Sequence, residues 1–213
     1  MKLLFSGCSY TYGDELQNVF KERFSRLVGD HYGAETTNLG QCGASNDNIS
    51  RRSIEFLDKN TVDIAVIQFT VHQRIEWFND KDKPVKFTPQ RISNNIQKIY
   101  YRDVYRNTLG SENLWKNIFL IDCYCKERGI KNIFLLADHF DEMIKHPERI
   151  FEDGVGDWRK LCETIPKTYL HMGCLGLMKN FPQNYINEAG GGHPTALGHQ
   201  VIADKIIRLI DAI

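Results

Sequence analysis

The sequence predicts an α/β fold built on a mostly parallel sheet. Short runs rich in apolar and β-branched residues alternate along the chain with longer segments whose apolar residues recur every three or four positions. This alternation of strand and helix is typical of βαβ units. A length of 213 residues suits one domain with its own core, so we expect a single domain over residues 1–213.

The first half of the chain supplies three of the predicted strands. A short buried strand over 2–7 precedes a segment with helical spacing, 16–28, which should end in the sequence GDHYG. Residues 35–40 are the candidate second strand, and 45–60 opens on Ser and Asn, which are good helix caps. The run VDIAVIQFT, residues 62–70, is nearly all apolar, as expected of a strand covered on both faces.

The second half continues the alternation. A helix is predicted over 113–129 and a buried strand over 131–138, with a last, weaker strand near 167–173. Thr195 can cap the final helix. The apolar residues expected on the inner face of that helix are Leu197, Val201, Ile202, Ile206, Leu209 and Ile210.

One region, about 75–112, is too long for a simple connection and predicts a lid-like insertion. Residues 81–106 within it hold seven Lys or Arg and two Asp, together with four aromatic rings. A later stretch, 138–157, holds seven acidic and two basic residues. Two interpretations stay open: oppositely charged solvated faces, or a cationic, aromatic lid or platform for substrate.

Composition narrows the function classes. The 27 Lys and Arg balance the 27 Asp and Glu, which argues against a nucleic-acid or membrane binder. No apolar run approaches the roughly 20 residues of a membrane span. The start LLFSGC resembles a lipoprotein cleavage box, but too few residues precede Cys8 for a signal peptide. We therefore expect a cytoplasmic protein whose cysteines stay reduced, and their spacing shows no zinc pattern, so no metal is expected.

Polar loops follow the predicted strands at the edge where parallel sheets bind ligands. Ser9 follows the first strand, and GQCGASN, TVHQR and ADHFDE follow the next three. His193 lies between a three-glycine run and the final helix, and Pro194 restricts it to an extended conformation. A serine nucleophile needs such a base and donors for an oxyanion. The alternatives are a turn serine and a plain loop histidine.

Three of these segments together resemble the SGNH, or GDSL-type, hydrolase superfamily. SGCSYTYG resembles its first block and makes Ser9 the nucleophile. NLGQCGASND resembles the second block and places the backbone N–H of Gly43 in the oxyanion hole. GGHPTALGHQVIADKI resembles the last block and makes His193 the base. The resemblance implies a three-layer α/β/α sandwich with about five parallel strands in flavodoxin-like order.

The chain departs from the family pattern at the oxyanion hole. The third block normally supplies an Asn, whereas the loop QFTVHQRIEW places His72 at about that position, followed by Gln73. Asn46 is a further candidate for the missing donor, although it could simply cap a helix. An ordinary loop, with Arg74 pairing Glu76, is the alternative for this region. Cys8 also replaces an Asp of the first block.

The last block lacks the Asp that normally precedes the histidine, because Gly190 and Gly191 stand there. The imidazole must then be oriented by a backbone carbonyl, by Glu188 or by an acid from another loop.

These residues predict a serine ester hydrolase that forms an acyl-enzyme on small-molecule or carbohydrate esters, without a cofactor. Acyl transfer to a sugar hydroxyl on the same fold is one alternative. A non-catalytic binding protein on a degenerate hydrolase scaffold is the other, motivated by the missing Asn and Asp.

Overall fold

A sheet of five parallel strands forms the centre of the structure, in the order β2 (Glu35–Asn38), β1 (Lys2–Ser6), β3 (Ile64–Phe69), β6 (Lys131–Leu136) and β7 (Leu170–His171). The computed structural model describes residues 1–81, 83–89, 92–136, 165, 170–171 and 192–213. The described strands are β1 (Lys2–Ser6), β2 (Glu35–Asn38), β3 (Ile64–Phe69), β4 (Ile75–Phe78), β5 (Pro84–Phe87), β6 (Lys131–Leu136) and β7 (Leu170–His171). The order of the sheet strands is the flavodoxin-like one, as predicted.

Helices cover both faces of this sheet. The described helices are α1 (Ser9–Tyr12), α2 (Val19–Glu22), α3 (Phe24–Tyr32), α4 (Asn46–Lys59), α5 (Asn95–Ile99), α6 (Asn107–Glu127) and α7 (Ala196–Ile210), with a π-helical turn at Tyr100–Val104. Helices α4 and α6 pack together on one face, and α3 and α7 on the other. The chain is therefore an α/β/α sandwich.

The alternation of side chains along β1 explains why both faces are covered. Leu4 faces the α4 and α6 side, whereas Leu3 and Phe5 face the α3 and α7 side. All three are almost completely buried, so each face removes apolar surface from water. In the described residues no helix is long and apolar enough to cross a membrane.

The single helix predicted over 16–28 is wrong, because the chain is extended at Arg23 and splits it into α2 and α3. The break leaves the backbone N–H of Phe24 outside any helical ladder, and this N–H donates to Nδ1 of His199 at 3.2 Å. His199 is itself fully buried in α7, whereas Leu197, predicted to face inward, is 50% exposed. A tertiary hydrogen bond has overridden the local helical pattern.

The region of the predicted insertion begins with an antiparallel hairpin of β4 and β5. Glu76 anchors it, since this carboxylate is only 2% exposed and accepts from Arg51 and Asn48 of α4. The alternative in which Arg74 pairs with Glu76 is wrong, because Arg74 donates to the Thr70 hydroxyl and Glu76 pairs with Arg51. Burial opposes ionisation of Glu76, but its hydrogen bonds outweigh that and hold its pKa below the usual value.

The hairpin also carries part of the predicted aromatic surface. The Phe87 ring stacks on Trp77 and meets the edge of Tyr100, which in turn contacts Tyr101 and Tyr105. Its role as a lid stays a prediction. The acidic stretch 138–157, the ADHFDE loop and Glu188 lie outside the described residues.

Candidate active site

Ser9 lies at the carboxyl edge of the sheet, where the sequence places it. The residue opens helix α1 directly after β1, and a left-handed Gly13 ends that short helix. The side chain is buried, and its hydroxyl donates to Sγ of Cys8 at 3.9 Å, a long and weak contact. Within the described chain this hydroxyl forms no hydrogen bond with His193.

A buried polar network supports the Ser9 turn from below. Oε1 of Gln68 accepts from the Thr11 hydroxyl at 2.7 Å, and Nε2 of Gln68 donates to Sγ of Cys8 at 3.2 Å. Sequence reasoning missed Gln68 and Thr11. The sequence signal that could have identified Gln68 is that it carries the single side-chain amide within the apolar strand IAVIQF. A buried polar side chain needs a hydrogen-bond partner.

The loop that carries Gly43 is fastened to this same turn. The backbone N–H of Gln41 donates to the Gly7 carbonyl at 3.0 Å, and Nδ2 of Asn38 donates to the Thr11 carbonyl at 2.7 Å. Gly40 lies so close to α1 that an added Cβ would be 2.4 Å from the backbone nitrogen of Tyr12. The backbone after β2 therefore runs beside the turn that carries Ser9, and the oxyanion role of Gly43 stays a prediction.

We expect Gly40→Ala to displace this loop from α1, because neither backbone can yield without moving the other. The substitution should lower the free energy of unfolding by about 1–3 kcal/mol, the usual cost of overpacking. Urea unfolding of both proteins measures the difference. Gly33→Ala is the control for backbone strain without a clash: φ of Gly33 is +56°, whereas φ of Gly40 is not positive, and the Cβ added at Gly33 would meet no atom within 4 Å. Equal losses in the two variants would contradict the packing argument.

The two candidates for the missing Asn occupy different settings. Asn46 is the first residue of α4 rather than its cap, which is Ser45, and its amide exchanges two hydrogen bonds with the Thr70 backbone. This pair joins the start of α4 to the end of β3. His72 is buried, and its ring lies beside Gly110 of α6. The part of either residue in an oxyanion hole stays a prediction.

His193 lies against the helix that Ser9 begins. The Tyr10 hydroxyl donates to the Gly192 carbonyl at 3.1 Å, and the Tyr10 and His193 rings meet edge to face at 5.6 Å. Thr195 caps α7 through its hydroxyl, as predicted, which fixes the chain just after the histidine. Residues from opposite ends of the chain thus meet at one edge of the sheet.

Two carboxylates from the loop after α1 flank the imidazole. Glu15 places Oε1 3.0 Å from Nδ1 of His193, and Asp14 places Oδ2 3.7 Å from Nε2. The acid from another loop that the sequence left open is thus present, whereas Glu188 lies outside the described residues. Neither Asp14 nor Glu15 was singled out from the sequence, although both adjoin the first block.

Cys42 lies beside Asp14. Burial and a hydrogen bond to Asp14 raise the pKa of the Cys42 thiol to about 11, so it is a neutral thiol at pH 7. Lys86 of the hairpin donates from Nζ to the Cys42 carbonyl at 2.7 Å, which joins the hairpin to the Gly43 loop. Among the described residues, no three His, Cys, Asp or Glu side chains are grouped to hold a metal ion.

Comparison with known proteins shows likeness in structure rather than in sequence. No known family model and no curated protein matches the sequence. The solved structures that match include a G-D-S-L family lipolytic protein from Veillonella parvula, at 14% identity and a TM-score of 0.55 over the whole of both chains.

Two esterase structures match as well. The psychrotrophic esterase EstA from Pseudoalteromonas has 11% identity and a TM-score of 0.62, over 99% of this chain and 97% of that one. The acetyl xylan esterase AlAXEase has 16% identity and a TM-score of 0.58, over 99% of this chain and 100% of that one. At these identities the likeness concerns the fold, and the chain has the fold of the SGNH/GDSL-type hydrolases.

Proposed function

We propose that the protein is a serine ester hydrolase in which Ser9 is the nucleophile and His193 the base. One observation carries this proposal: His193, flanked by two carboxylates, is held by Tyr10 against the helix that Ser9 begins. A turn serine needs no such histidine. The esterases among the solved structures with this fold support the same reaction class.

The chemistry follows from these positions. His193 takes the Ser9 proton on Nε2 while the serine oxygen attacks the ester carbonyl, whose π electrons move onto oxygen. When the tetrahedral intermediate collapses, the ester C–O bond breaks and the alkoxide leaves with the proton from His193. Water then repeats the sequence on the acyl-enzyme, with His193 again as base.

The oxyanion would form between the Ser9 turn and the loop fastened to it. The backbone N–H groups of Ser9 and Gly43 are the proposed donors, with Asn46 or His72 as the third. Removal of one donor of this kind commonly lowers kcat about 100-fold or more. The Ser9 hydroxyl must leave Cys8 before attack, which needs only a rotation about one side-chain bond.

The hairpin favours a carbohydrate ester as substrate. Its Lys86 contacts the Gly43 loop. The next residue, the buried Phe87, meets the half-buried ring of Tyr100, which also contacts the half-buried rings of Tyr101 and Tyr105. Aromatic faces and hydrogen-bonding side chains suit the apolar and hydroxylated faces of a sugar. AlAXEase, which has the same fold, is named an acetyl xylan esterase, and acetyl xylan is a carbohydrate ester.

A fluorophosphonate probe and a panel of esters test the proposal together. We expect the probe to label Ser9, identified by mass spectrometry of the labelled peptide, and the protein to release acetate from acetylated sugars and short aryl esters. A polyol added to the assay distinguishes hydrolysis from transfer, because transfer yields an acylated polyol. Protein that takes no label and turns over no ester would overturn the proposal in favour of a binding protein.

A further inference from the structure

We infer that Glu15 is the positioning residue for His193, taking the place of the acid that the last sequence block lacks. This inference rests on the proposed function and adds to it a carboxylate from the opposite end of the chain. It assigns Glu15 to Nδ1 of His193 and the proton exchange with Ser9 to Nε2, from which Asp14 lies 3.7 Å away, beyond normal hydrogen-bond distance.

Distance and burial select Glu15 over its neighbour. Glu15 lies 3.0 Å from Nδ1 and its side chain is 22% exposed, whereas Asp14 lies 3.7 Å from Nε2 and is 39% exposed. The carboxylate that is nearer and less exposed to solvent has the stronger interaction with an imidazolium. Asp14 also accepts a hydrogen bond from Cys42, so part of its capacity is used elsewhere.

The orientation of the contact is consistent with a pair that tightens during the reaction. Nδ1 of His193 is buried, and it makes no hydrogen bond of normal geometry within the described chain. The Glu15 oxygen is near enough, but it lies off the line of the ring N–H. Catalytic hydrogen bonds are often poorly aligned until substrate or charge is present.

The backbone of Glu15 has an unfavourable conformation, which is unusual for a glutamate in a loop. With φ of +69°, it is the only non-glycine residue with positive φ among those described. Such a conformation persists only where the surrounding structure imposes it, and such outliers cluster at functional sites. The following residue, Leu16, is buried, which holds the loop in this conformation and the carboxylate beside His193.

Within the described residues, titratable groups face His193 from two elements besides Tyr10 of α1. The loop after α1 contributes Asp14 and Glu15, and α7 contributes His199, whose pKa is lowered in part by the charge of His193. In the described part of the chain, the negative charges beside a protonated His193 are therefore these two carboxylates, and Glu15 is the one that lies beside Nδ1.

The test compares four variants in an aryl ester assay and in isotope-edited proton NMR of the His193 ring. Glu15→Gln keeps size and strain but removes the charge; Asp14→Asn removes the adjacent charge. Glu127→Gln, on the exposed end of α6, is the surface control. Glu15→Gly removes both the carboxylate and the strain.

We expect Glu15→Gln to lower kcat about 100-fold or more with little change in KM, and Asp14→Asn to lower it less. The Nδ1 proton resonance should move upfield in Glu15→Gln, because a charged acceptor shifts it further downfield than a neutral one. Glu15→Gly should raise Tm by about 2 °C while losing activity to the same extent, since glycine adopts positive φ without cost.

Activity within about twofold of wild type in Glu15→Gln would overturn the inference, and so would an unmoved Nδ1 resonance. Failure of the proposed function gives a different pattern. A wild type that hydrolyses no ester overturns the hydrolase proposal, while the NMR comparison still decides whether Glu15 holds His193.

Discussion

Replacing Ser9 with alanine is expected to lower kcat on a short aryl ester by about 10⁴-fold or more, because the reaction then lacks its nucleophile. His193→Ala should cost about as much, since the hydroxyl is a weak nucleophile without its base. The double variant should lose little beyond the worse single variant, because residues that act as one unit are strongly non-additive. Initial rates with purified protein measure all three.

Both single variants should remain folded. Among the described residues, the hydrogen-bond partner of the Ser9 hydroxyl is Cys8, at a long distance, and His193 lies in a loop outside the two apolar clusters of the core. Circular dichroism and urea unfolding check this. Ser6→Ala, at the end of β1, is a matched serine control that should keep its activity. Additive losses, or a Ser9→Ala protein as active as wild type, would contradict a Ser9–His193 pair.

Acid is expected to destabilise the protein through His199. Complete burial, and to a lesser extent the charge of His193, lower the pKa of His199 from 6.5 to about 4. In the unfolded chain the same ring takes up a proton near its ordinary pKa. The resulting stabilisation is therefore complete above pH 6.5 and is lost as the pH falls toward 4, by about 3 kcal/mol in total.

His199→Gln isolates this contribution. The glutamine oxygen can still accept from the Phe24 N–H but does not titrate, so the free energy of unfolding should fall less steeply between pH 7 and pH 4. Urea unfolding at several pH values gives both curves. His31→Gln is the control, because His31 is exposed and should leave the pH dependence unchanged. Parallel curves for wild type and His199→Gln would contradict the assignment.

The sequence alone determined which segments form the sheet and which segments carry the candidate site residues. The spacing of apolar residues and the residue composition are properties of a short segment by itself. VDIAVIQFT was therefore recognisable as a strand buried on both faces, and β3 lies within it. The same holds for Thr195, whose cap depends on the three residues after it. Because the carboxyl ends of parallel strands lie at one edge of the sheet, the sequence alone predicts that Ser9 and Gly43 lie near this edge.

Tertiary structure decided those features that depend on contacts between residues far apart in the sequence. Arg23 breaks a segment with helical spacing because a histidine from α7 accepts the Phe24 N–H. Gln68 is a support for Cys8 and Thr11 only because β3 lies beside β1. Nothing in the sequence distinguishes Glu15 from an ordinary surface glutamate. Electrostatic interaction depends on distance in space and on burial, and only folding brings this carboxylate to His193 from the other end of the chain.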